Sequence, residues 1–213
     1  MQFWIVGTDT DVGKTTVSAW ICLHTTCSYW KPVQTGCFVD ESTGVSINSD
    51  SSYVKNLTNT KIHPESYVFR DPLSPHMAAA RENTELDPSK IIIPQEKNLL
   101  IEAAGGLYVP LTDDMFYIDF IESTKLPVIL VARSGLGTIN HTCLSVEALR
   151  GRNIPLFGVI VNGETNPDNI RAIEKFANVR ILAGLHKLEK IETETLRSAT
   201  FPLTLKCMLE SPA

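Results

Sequence analysis

Short apolar runs alternate along the chain with helix-length amphipathic stretches, and a glycine-rich loop ending in Gly13-Lys14-Thr15 separates the first run from the first such stretch. Together they predict an α/β fold, with a mainly parallel central sheet flanked by helices. The first run, residues 3–6, is apolar at every position, as a strand buried on both faces must be. Residues 14–27 carry apolar side chains at helical spacing, and residues 29–33 read as a further strand. Residues 38–60 are rich in Ser, Thr and Asn, which predicts a surface excursion with at most a short helix near 51–57. Strands follow at 99–103, 128–132 and 156–161, flanked by turn residues such as Gly105, Pro127, Gly135 and Asn162. Helical spacing returns at 138–150 and 168–177, the latter started by Asn166-Pro167. Beyond about Leu188 the pattern is too irregular to assign an element.

The 213 residues fit one domain, 1–213, large enough to need no disulfide or metal staple. Hydrophobic content of 43% and charged content of 20% are ordinary for a globular chain. A net charge of −5 without any Lys/Arg run argues against a nucleic-acid partner. The N-terminus has no basic leader, and no segment reaches the roughly 18 apolar residues of a membrane span. A cytoplasmic protein with no membrane partner is expected. Its five cysteines, an odd number without metal-ligand spacing, are expected to be reduced.

The loop GTDTDVGKTT carries the chemistry. A phosphate loop needs glycines that let backbone N–H groups face the anion, a lysine for the outer phosphates and a hydroxyl for magnesium. Gly13, Lys14 and Thr15 supply them, although five residues separate Gly7 from Gly13, one more than the usual spacing. The preceding strand and following helix place the anion at a helix N-terminus, so a P-loop NTPase-like fold that binds a nucleotide is expected, with ATP as the expected ligand and its base left open by the loop itself. Such enzymes place a carboxylate near magnesium at the end of a neighbouring strand. Glu102 ends the apolar run LLIEAAGG and is placed for that role, or faces solvent at its strand end. Asp50 reads either as a second carboxylate or, with Ser49, as a helix N-cap. Lys31, before Pro32, either points into the crevice at the carboxyl ends of the strands or is solvated.

The segments GTDTDVGKT, WKPVQTG, NSD, PLSPH, EAAGG, VPLTD, LPVILVA and GLGTINH occur in this order over about residues 2 to 163. They closely resemble the dethiobiotin synthetase family of biotin biosynthesis. The resemblance implies an ATP- and Mg2+-dependent homodimer that joins CO2 and 7,8-diaminopelargonic acid through a carbamate and a carbamic-phosphoric anhydride. Carried onto this sequence, Asp11, Val12, Gly13, Lys14, Thr15, Thr16 and Asn162 would bind the nucleotide. Asn162 is also a common turn residue after a strand. Thr15, Asp50 and Glu102 would hold magnesium. Lys31, Lys14 and Thr10 would be catalytic, with Thr10, Lys31, Thr35 and Gly105 beside the substrate. Gly137, Thr138, Ile139 and Asn140 would receive its carboxylate across the dimer interface, unless they merely start a helix.

Three positions depart from the family pattern. Asp11 stands where other members often carry Glu, Ala103 replaces a glycine, and AGLHKL lacks the proline expected near the base. The competing reading from another class is a partition- or division-type ATPase switch. Its signature lysine, five residues before the Walker lysine, is replaced here by Asp9. A cobyrinic-acid-type amide ligase would normally add a glutamine-hydrolysing domain, and a non-catalytic nucleotide-binding relic would not be expected to keep Lys14, Thr15, Lys31 and Glu102 together.

Overall fold

The computed structural model describes residues 1–39, 42, 46, 47 and 49–211. In chain order its first half contains β1 (Gln2–Gly7), α1 (Lys14–His24), β2 (Ser28–Trp30), β3 (Val33–Thr35), β4 (Phe38–Val39), β5 (Ser46–Ile47), α2 (Asp50–Leu57), β6 (Ile62–His63), β7 (Tyr67–Phe69) and α3 (Pro75–Arg81). The second half adds β8 (Leu99–Gly106), α4 (Tyr117–Thr124), β9 (Val128–Arg133), α5 (Thr138–Gly151), β10 (Leu156–Gly163), α6 (Pro167–Phe176), β11 (Ile181–His186), α7 (Thr193–Ser198) and α8 (Leu203–Glu210).

Seven parallel strands form the central sheet in the order β11-β10-β9-β1-β8-β2-β6, as the alternating pattern predicts. Successive side chains point to opposite faces of a strand, and two apolar layers follow from that. Trp4, Val6, Ile101, Leu130 and Val159 join the layer under α4 and α5, whereas Phe3, Ile5, Leu100, Ile129 and Ile160 join the layer under α1, α7 and α8. Glu102 follows Ile101, so its side chain falls on the α1 face. Strand β1 lies between β8 and β9, and its carboxyl end delivers the phosphate loop to the middle of the sheet edge.

Strand β8 runs on to Gly106, past the expected end at 103, and two other expected elements differ, each for a local reason. The first helix ends at His24 rather than 27, because Thr25 turns extended and its hydroxyl takes the Ile21 carbonyl, 2.8 Å away. The strand expected at 29–33 is two strands. Pro32 has no N–H for the ladder, so β2 stops at Trp30 and β3 pairs with β7 in a separate sheet. Lys31 sits at that break. The helix near 51–57 is α2, and part of the excursion 38–60 lies outside the described residues.

The C-terminal region is more regular than its sequence suggests. Strand β11 extends the sheet beside β10, and Leu196, Leu205 and Leu209 of α7 and α8 are buried against α1. Phe201 stacks on His24 and meets Trp20 edge-on, which fixes this cover. All five cysteines are free, and no helix among the described residues is long and apolar enough to cross a membrane.

Candidate active site

The phosphate loop spans the gap between β1 and α1, and sterics dictate both its glycines. A Cβ on Gly7 would stand 2.6 Å from the Asp9 carbonyl oxygen. Gly13 has φ +91°, and a Cβ there would stand 2.0 Å from Asn162 Nδ2. Asp11 also adopts a left-handed conformation, at φ 57°, which Asp tolerates better than most residues. Asn162, at the end of β10, donates through Nδ2 to the Val12 carbonyl at 3.0 Å and pins the loop from outside.

Beside the loop lies a cavity of about 990 Å3, lined by Thr10, Asp11, Gly13, Lys14, Thr15, Thr16, Lys31, Thr35, Asp50, Glu102 and Gly105 among others. Residues far apart in sequence meet here because β8 is inserted between β1 and β2. Lys31, usually a solvated residue at such a position, is only 3% exposed. Its ammonium lies 2.6 Å from Asp50 Oδ2 and 3.3 Å from Glu102 Oε1. Glu102 is fully buried and accepts further hydrogen bonds from Ser18 (2.7 Å), Tyr29 (3.1 Å) and Thr15 (2.8 Å). A buried carboxylate persists only with such partners, which excludes the solvent-facing alternative for Glu102.

Asp50 resolves the other ambiguity. Ser49 is the N-cap of α2, its Oγ accepting from Ser52 N at 3.0 Å, and Asp50 is the first helical residue. The cap and the carboxylate are therefore separate side chains, and Asp50 is free to meet Thr15, 2.9 Å from Oδ1. Gln34 steadies this corner by accepting from Asp50 N at 3.0 Å.

The electrostatics follow from this packing. Burial would depress the Lys31 pKa, but Glu102 and Asp50 outweigh it and hold the ammonium above its ordinary value. Burial would raise the Asp50 carboxyl, and Lys31 outweighs that, keeping it low. Lys14 has the opposite fate. Burial, then repulsion from Lys31, lowers it to about 8 against the weaker pull of Glu102, Asp50 and Asp11. Its Nζ donates to the Asp9 carbonyl at 3.1 Å.

The donor set fits a magnesium ion. The Thr15 hydroxyl has one hydrogen and sits within 2.9 Å of an oxygen of each carboxylate, so three hard oxygens converge on one point. Among the described residues no group of three or more His, Cys, Asp and Glu side chains forms a metal cage. Mg2+ takes one or two carboxylates and completes its shell with water and phosphate oxygens.

Other expected residues lie apart from this cavity. Val12 is buried beneath the loop, and Asn162 and the start of α5, Gly137, Thr138, Ile139 and Asn140, are outside the cavity lining. Gly137 caps α5 at φ 89°, and the preceding Leu136 is 101% exposed. Sequence reasoning missed Ser18 and Tyr29, which hold Glu102, and Tyr53, whose OH is 3.4 Å from Thr16 Oγ1. Ser18 was within reach, being three residues after Thr15 on one helix face. Tyr29 gave no local signal.

A family model described as an AAA domain matches residues 1–195. The ATP-dependent dethiobiotin synthetase of Lawsonia intracellularis is 49% identical over 205 residues, 96% of each chain. That of Paramagnetospirillum magneticum is 44% identical, again over 96% of both chains. A solved ParA family ATPase from Chlorobium tepidum TLS superposes with a TM-score of 0.55 over 88% of this chain and 84% of its own, at 15% identity. So distant a likeness establishes a shared fold alone.

Proposed function

This chain belongs to the ATP-dependent dethiobiotin synthetase family, and we propose that it joins CO2 to 7,8-diaminopelargonic acid and closes the cyclic urea of dethiobiotin. The observation that carries the reading is Lys31, a buried cation facing Asp50 and Glu102 at the wall of the cavity that also holds Lys14 and Thr15. A switch ATPase of the competing class would carry its second cation in the phosphate loop itself, where this chain has Asp9. An enzyme that first makes a carbamate and then phosphorylates it needs a fixed cation on the carbamate side, as Lys31 supplies.

In the proposed sequence one substrate amine takes up CO2 as a carbamate. Lys31 and Thr35 hold its oxygens, the ammonium stabilising charge that grows as an oxygen attacks the γ-phosphorus. Lys31 stays protonated because its carboxylate partners keep it so, and it acts as a fixed charge rather than a base. Lys14, with the amides of Gly13, Thr15 and Thr16, holds the phosphates at the N-terminus of α1. Thr10 and Gly105 stand at the junction of phosphate and diamine, an added Cβ on Gly105 lying 3.5 Å from Thr10 Oγ1. Thr15, Asp50 and Glu102 would hold Mg2+, which when bound neutralises phosphate charge. The second amine then closes the ring and phosphate leaves.

Substrate length requires a distant anchor for the carboxylate. Gly137, Thr138, Ile139 and Asn140 open the 14-residue α5, whose N-terminus suits an anion, with Thr138 N donating to the Gly135 carbonyl at 3.2 Å. Leu136 and Leu144 are exposed on the same segment, which supports a partner protomer covering it in a homodimer.

The test supplies diaminopelargonic acid, bicarbonate, Mg2+ and ATP, and follows dethiobiotin by mass spectrometry alongside phosphate. Diamine-dependent phosphate release with dethiobiotin formed is expected; nucleotide hydrolysis indifferent to the diamine would sink the proposal.

A further inference from the structure

The Pro-Leu-Ser-Pro-His segment, residues 72–76, has no role in the reaction sequence above, yet its first four residues line the same cavity as Lys31 and Thr35. Its backbone is tied to the carbamate wall. Gly36 N donates to the Asp71 carbonyl at 3.1 Å, and a Cβ on Gly36 would stand 3.2 Å from that of Pro72. Prolines at 72 and 75 fix the backbone on either side of Ser74.

Ser74 occupies the N-cap of α3 but does not cap it. A serine there normally accepts from a backbone N–H one turn on, and this one makes no such bond. Its Oγ lies 2.9 Å from His76 Nδ1 instead. His76 is half-buried and outside the cavity lining, and the serine hydroxyl links its imidazole to the cavity.

Ring closure needs such a path. When the free amine attacks the carbonyl carbon of the anhydride, the new C–N bond leaves the nitrogen positive, and the breaking C–O bond takes its electron pair to the departing phosphate. The nitrogen must then lose a proton to an acceptor within reach of the cavity. We propose that Ser74 and His76 form the proton exit for ring closure, Ser74 touching the reacting amine and His76 accepting through it. Ser74 Oγ takes the nitrogen's proton as its own hydrogen passes to the Nδ1 lone pair, and the imidazolium loses a proton to solvent. The inference rests on the ring-closing reading and adds this residue pair to it.

The experiment compares wild type, Ser74→Ala and His76→Ala in the full reaction, measuring dethiobiotin and phosphate together. In the variants ring formation falls on the order of 10²-fold, while the anhydride still forms and is lost to water. The phosphate-to-dethiobiotin ratio therefore climbs well above that of wild type. Added imidazole restores ring formation in His76→Ala and not in Ser74→Ala. Variants with wild-type rate, or slowed variants with an unchanged ratio and no imidazole response, overturn the proton exit and leave the parent reading intact. A wild type that makes no dethiobiotin overturns both.

Discussion

Around Glu102, four side chains converge on one fully buried carboxylate, and the cation among them, Lys31, answers a second carboxylate as well. Around Asn162, on the far side of the same loop, polar groups stand half in solvent. Asn162 makes its bond to Val12, His186 pairs with Thr165 at 2.6 Å, and Lys187 reaches Glu164 at 3.3 Å on an exposed surface. The difference is one of dielectric. Charges out of water act strongly on a reacting phosphoryl group, but each must be paired or the fold bears its desolvation. Exposed groups exert little force and cost little to change. The departure of AGLHKL from the family pattern falls on the side where variation is tolerated.

Substitutions on the two sides should separate accordingly. The largest effect belongs to Lys31→Ala, which removes the shared cation. Dethiobiotin formation is expected to fall at least about 10³-fold, and urea unfolding should show a loss of about 3 kcal/mol from leaving two carboxylates unanswered. Nucleotide binding should survive, and parallel loss of both would show that Lys31 serves the phosphates instead. Next comes Gly13→Ala, which touches both sides at once. The strained φ of +91° and the clash with Asn162 should weaken nucleotide affinity on the order of tenfold or more, a shift that calorimetric titration would detect.

A subtler effect concerns Lys14, whose pKa is lowered to about 8. Bound phosphates should raise it again, so nucleotide binding at pH 8 takes up on the order of half a proton, falling toward none near pH 6. Titration in two buffers of different ionisation enthalpy measures this. No uptake at pH 8 means that Lys14 is already charged without nucleotide. The sign for stability is the same linkage. Between about 8 and the ordinary lysine value of 10.5 the unfolded chain binds more protons at this site, so Lys14 penalises the free protein below pH 8 and the penalty fades as pH rises. The smallest effect is His186→Ala, with nucleotide affinity within about threefold of wild type. A larger loss would mean that the exposed side grips the base more tightly than its burial suggests.

Legibility in the sequence follows the same division between local and non-local causes. The strands at the centre of the sheet were readable because apolar runs flanked by turn residues are local, and the phosphate loop because its glycines and lysine are adjacent. Strand β11 was not, since its pattern of burial is broken by the exposed Gly184 and His186. Helices α7 and α8 are 6 and 8 residues long, too short for periodicity to rise above noise, and owe their place to Leu196, Leu205 and Leu209 packing on α1.

The sequence by itself determined that a phosphate loop opens a helix and that an acidic residue belongs to a buried strand, because each depends only on near neighbours, although Glu102 stands inside β8 and not at its end. Only the tertiary structure decided that Lys31 is buried between Asp50 and Glu102, that Ser49 takes the cap and leaves Asp50 free, and that Ser18 and Tyr29 hold Glu102 in place. Those outcomes depend on β8 threading between β1 and β2 and on Pro32 ending a strand beside it, a juxtaposition of segments about 70 residues apart that no local pattern encodes.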